Sequence, residues 1–125
     1  MRRVAVILLL LLAGCSGGSV VAPPSGPPAS ELRIGMIDYR FQLSAATLAP
    51  GTVTVVATNA GSSEHDVVLT EGGTELGRSD MLPPGRQQTF SVDVAAGGPV
   101  HLECSVPGHD AAGMHAQVAV AVAAG

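Results

Sequence analysis

From Glu31 onward, apolar and polar positions alternate in short runs separated by turn residues. Leu32, Ile34, Met36 and Asp38 recur at every second position and fall on one side of a first strand. Phe41, Leu43 and Ala45 suggest a second. Thr52 to Asn59 is the clearest strand, because it is rich in the β-branched residues that suit a pleated, half-buried surface. Further strands are expected at Asp66 to Thr70, Gln87 to Val94, Val100 to Cys104 and Gln117 to Val122. The breaks fall at Pro50-Gly51, Gly72-Gly73, Leu82-Pro83-Pro84-Gly85 and Gly97-Gly98-Pro99, all turn formers. The spans 44–49 and 74–80 fit no pattern well, and no run has the length and 3.6-residue period of a substantial helix. Seven or eight short strands predict an all-β domain, an antiparallel Greek-key β-sandwich over residues 31–125.

The first thirty residues have a different character. Arg2 and Arg3 precede an unbroken apolar run from Val4 to Leu12. Nine helical residues rise only about 14 Å, far short of a hydrocarbon core of about 30 Å. A secretory signal over residues 1–14 is therefore the better reading than a membrane span. It ends in Leu12-Ala13-Gly14-Cys15, which resembles the lipobox of bacterial lipoproteins and implies cleavage before Cys15 and acylation of its thiol. Four prolines and three glycines among residues 16–30 cannot build a core, so residues 15–30 are expected to be a lipidated cysteine followed by a linker. These readings place the domain outside the cytoplasm, tethered to a bacterial cell membrane.

Charge narrows the partners. All six basic residues are Arg, and removal of the signal leaves four of them against ten acids. A balance of −6 argues against nucleic acid, whose phosphates need clustered Lys and Arg. The sequence carries no nucleophile elbow, glycine-rich phosphate loop or HExxH motif, so enzyme classes built on these find no support.

The candidate chemistry lies in Cys104-Ser-Val-Pro-Gly-His109-Asp-Ala-Ala-Gly-Met114. Three potential metal ligands occur in eleven residues, and Pro107, Gly108 and Gly113 make the segment a tight loop between two strands. His65, in the loop after the strongest strand, is a fourth. One thiolate, two imidazoles and one thioether form the donor set of a blue-copper electron-transfer site. Zinc also binds Cys and His, but a thioether suits it poorly.

Asn59-Ala-Gly61, His65-Asp66 and Cys104-x4-His109-x4-Met114 together resemble the cupredoxin family, and the likeness spans residues 31 to 125. The resemblance implies one copper ion held by His65, Cys104, His109 and Met114 at one end of a sandwich, with His109 as the solvent-facing edge through which electrons pass. It implies support from Asn59, Asp66 and Ser105 around the ligands. Two departures stand out. Many cupredoxins carry an aromatic residue just before the Cys, where this chain has Leu102-Glu103. Many have Asn or Ser after the first His, where this chain has Asp66. The expected function is that of a monomeric electron carrier between redox proteins such as cytochromes or a terminal oxidase. The alternative is copper delivery or buffering, which usually goes with exposed Met and His clusters; His101 and His115 lie outside the ligand spacing.

Overall fold

The structure is a computed structural model that describes residues 26–122. The signal peptide, Cys15 and most of the linker lie outside the described residues. The described residues form nine strands: β1 (Glu31–Ile37), β2 (Arg40–Leu43), β3 (Thr47–Leu48), β4 (Gly51–Asn59), β5 (Val68–Glu71), β6 (Thr74–Arg78), β7 (Gln87–Val94), β8 (Val100–Glu103) and β9 (His115–Val120). They form two sheets, in the orders β2-β1-β4-β7 and β3-β9-β8-β5-β6. The expected sandwich is present, with two differences in detail. The spans that fitted no pattern contribute β3 and β6, which raises the count to nine. Both sheets are mixed rather than wholly antiparallel, since β1 pairs in parallel with β4, and β3 with β9. Between β1 and β4 the chain leaves its sheet to form β3 in the other, and a crossover of this kind is what brings two strands back in the same direction.

Alternation builds the core as the sequence implies. Leu32, Ile34 and Met36 point inward from β1, Val53, Val55 and Ala57 from β4, and Val92 and Val94 from β7. Val100 and Leu102 of β8, with Val118 and Val120 of β9, meet them from the second sheet. Each Val, Leu, Ile or Met among them, fully buried, stabilises the fold by roughly 1.5–3 kcal/mol. At the β6 and β7 edges the sheets come so close that a Cβ on Gly77 would lie 2.8 Å from Val92 Cγ1.

Hydrogen-bonded structure begins slightly before β1. Ala29 bridges in parallel to Leu48, and Thr54 N–H donates to the Ser30 carbonyl at 2.9 Å. In β1 the run from Glu31 to Met36 pairs with Thr54 to Asn59, so the start of β1 and the start of β4 lie at one pole. The ends of β1, β4 and β8 and the start of β9 lie at the other.

Candidate metal centre

Three strands carry their inward alternation to that second pole and change chemistry there. β4 ends its buried series Val53, Val55, Ala57 with Asn59. Val100 and Leu102 lead to Cys104, which is 2 % exposed. Leu32, Ile34 and Met36 lead to Asp38, just past β1. The period that builds the core thus aims an amide, a thiol and a carboxylate at the same end of the sandwich.

Asn59 organises the loop that presents His65. Its amide donates to the Ser63 carbonyl at 2.8 Å and the Leu82 carbonyl at 2.7 Å, while its oxygen accepts Gly61 N–H at 2.9 Å. Backbone bonds between His65 and Leu82, at 2.8 and 3.2 Å, fix the histidine from the other side. His65 is fully buried. The loop of residues 104–114 is closed by its own backbone. His109 N–H donates to Val106, Met114 N–H to His109, and Cys104 N–H to the Met114 carbonyl, all at 3.0–3.1 Å. Gly108 and Gly113, at φ of 85° and 115°, take conformations in which a side chain would be strained. Met114 is fully buried and His109 is half-buried, so of His65, Cys104, His109 and Met114 only His109 reaches the surface.

His65, Cys104 and His109 are the group of potential ligands that the fold gathers among the described residues. Nδ1 of His65 lies 3.2 Å from Nδ1 of His109, and Cys104 Sγ lies 4.0 and 3.7 Å from these nitrogens. With bonds of about 2.05 Å to nitrogen and about 2.3 Å to sulfur, this triangle gives angles at a central ion of about 103°, about 116° and about 134°. Bonds of those lengths from all three atoms would converge on one ion. A trigonal His₂Cys set with a weak axial thioether is the donor set of blue copper, and the residues present fit that ion.

The surroundings set the electrostatics. Burial raises the pKa of the Cys104 thiol, against the backbone N–H groups of Asp66 and Val106, which favour the thiolate. Asp66 is 3 % exposed and accepts Ser105 N–H at 2.7 Å and the Ser105 hydroxyl at 2.5 Å. His101 and His115 stay outside the centre and exposed, beside Gln117 and Asp110 respectively.

Two residues that border the centre escaped the sequence reading. Asp38 Oδ1 lies 2.6 Å from His65 Nε2, on the face of the ring away from the ligand triangle. Its carboxylate also accepts the Ser62 hydroxyl and the N–H groups of Ser62 and Ser63. The Ser62 hydroxyl, then His65, then the Ser62 N–H, hold its pKa well below the usual carboxylate range. The signal was available, because Asp38 continues the inward alternation of β1. The second is Tyr39, whose ring meets that of His109 edge-on with centroids 4.9 Å apart. An aromatic group therefore does border the centre, from the β1–β2 turn rather than from the position before Cys104.

No family model and no curated protein matches the chain. Solved structures do. Auracyanin from Roseiflexus castenholzii is 21 % identical with a TM-score of 0.70, covering 76 % of this chain and 99 % of its own. Auracyanin B is 20 % identical with a TM-score of 0.62, over 78 % of this chain and 93 % of its own. Reduced rusticyanin is 17 % identical with a TM-score of 0.58, over 75 % and 81 %. The chain has the fold of auracyanin and rusticyanin, the cupredoxin fold.

Proposed function

We propose that this chain is a membrane-tethered, mononuclear type 1 copper protein that carries single electrons between extracytoplasmic redox partners. The observation that carries the reading is the triangle of His65 Nδ1, His109 Nδ1 and Cys104 Sγ, sized for one ion and set at the pole of a cupredoxin sandwich. Met114 would be the fourth ligand to the ion, Cys15 the lipid anchor, and the protein is an electron carrier rather than an enzyme.

Copper, when bound, supplies the Cu(I)/Cu(II) couple. The chain's own residues keep its surroundings the same in both states. Two loops tied to each other and to strand ends would hold the donors in the same places in both oxidation states, so that little would rearrange on electron transfer. Buried Cys104, His65 and Met114 keep water away. The half-buried ring of His109, in a loop whose Pro107, Ala111 and Ala112 are exposed, is the point of approach for a partner such as a cytochrome or a terminal oxidase.

An absorption spectrum of the purified full chain loaded with Cu(II), beside Cys104→Ser, tests the reading. An intense blue or green thiolate-to-copper band, bleached by ascorbate and missing from the variant, is expected. A colourless protein that prefers zinc would sink the carrier reading and leave metal delivery or buffering in its place.

A further inference from the structure

We infer that Asp38 is a positioning residue for the metal centre: its carboxylate takes the Nε2 proton of His65 in a hydrogen bond and so holds the imidazole with its Nδ1 lone pair facing Cys104 and His109. This rests on the ligand role given to His65 above.

An ionised carboxylate can only accept, so the 2.6 Å contact between Asp38 Oδ1 and His65 Nε2 puts a proton on Nε2. A neutral imidazole with Nε2–H has its lone pair on Nδ1, the nitrogen that lies 3.2 Å from His109 Nδ1 and 4.0 Å from Cys104 Sγ. The ring has no other exit, since His65 is fully buried. The carboxylate is itself fixed. Ser62 N–H reaches it at 2.9 Å, the Ser62 hydroxyl bonds the same oxygen, and Ser63 N–H approaches the other. Asp38 thus ties the β1–β2 turn to the loop that carries His65.

Gly61 gives an independent sign that the contact is built in. A Cβ there would run into the Asp38 carboxylate and lie 2.9 Å from His65 Nε2. The backbone passes directly over the Asp38–His65 bond, and only glycine leaves room for it. A carboxylate on the far nitrogen of a ligating histidine fixes the ring and raises its basicity. For copper, a more basic ligand favours Cu(II) and lowers the reduction potential.

The test uses the full chain and Zn(II) as probe, so that it does not depend on redox chemistry. In the metal-free wild type, nitrogen-15 NMR of labelled histidine should find the His65 proton on Nε2 and slow to exchange. Asp38→Ala should lose that slowly exchanging signal and bind Zn(II) 10- to 100-fold more weakly. Gly61→Ala leaves Asp38 in place but wedges the bond apart, and should do both as well. In copper-loaded samples both variants should have a raised potential. An unchanged Nε2–H signal with Zn(II) affinity within twofold of wild type, in whichever of the two variants retains the wild-type strand circular dichroism, would overturn the inference. A missing blue band in a protein that still shows the tautomer and zinc effects overturns the electron-carrier reading and leaves Asp38's role intact.

Discussion

Asp66 and Ser105 join the two ligand-bearing loops, one directly after His65 and the other directly after Cys104, through paired hydrogen bonds to the two oxygens of one buried carboxylate. The bonds run from a neutral residue to a charge, the stronger kind. Replacing Asp66 by Ala leaves Ser105 N–H without its partner and should cost about 2–3 kcal/mol of stability in chemical denaturation. Asp66→Asn keeps one acceptor and removes a negative charge beside the copper ligands. It should raise the reduction potential at little cost in stability, which a redox titration of the blue band reads directly.

Asn59 is fully buried and makes three hydrogen bonds, to Gly61, Ser63 and Leu82. Asn59→Leu would leave the part-buried Ser63 carbonyl and Gly61 N–H without their partner, each unmet group costing about 1–3 kcal/mol, and the Leu82 carbonyl with only its bond from His65 N–H. A loss near the top of the range expected for a single substitution should follow, with His65 released from its loop. Thermal unfolding, with the blue band as a second readout, checks both effects. Asn59→Asp would not rescue it, since a carboxylate cannot donate to the carbonyls of Ser63 and Leu82.

The Cys104 thiol has its pKa raised by burial. In the metal-free protein this favours the neutral thiol, so the stabilising contribution is full below the ordinary thiol value of 9.0 and is lost as pH rises through the higher folded value. Metal-free protein should therefore weaken in alkali in a way that Cys104→Ser removes. Because metal takes the thiolate, binding at neutral pH should release a proton and copper affinity should fall as the solution is acidified. Proton release on titration into weak buffer measures this.

Gly77 tests the frame away from the metal. A methyl group there meets Val92 of the facing sheet at 2.8 Å, so Gly77→Ala should cost about 1–3 kcal/mol by forcing the sheets apart. The visible spectrum of the copper protein should not change. A shifted band would mean that the sandwich edge and the metal pole are mechanically coupled.

Much of this architecture was legible in the chain. The alternation of β1, β4, β7 and β8 reads out which residues face the core, and the Cys104-x4-His109-x4-Met114 spacing reads out a loop rich in ligands. What stayed hidden has physical causes. β3 has two residues, too few for any period, and β6 is an edge strand whose exposed and half-buried positions give no contrast. Strand direction leaves no trace in a period of two, so the parallel pairing of β1 with β4 could not be seen. The alternation puts Asp38 on the inward side of the first strand, but its meaning depends on His65, twenty-seven residues later, being folded beside it. Tyr39 likewise acquires its partner only when the β1–β2 turn and the loop of residues 104–114 meet.

The pairing of Ala29 with Leu48 has a mechanical consequence. It fastens the entering chain at the foot of the molecule, a full strand's length from His109, about 20 Å for a strand of this size. Any force transmitted through the segment that precedes it is delivered to that foot and meets β3 and β4 before it meets a ligand. Under the proposed anchoring, the pull would fall on that foot, and the pole that carries His109 would stay free to face a partner.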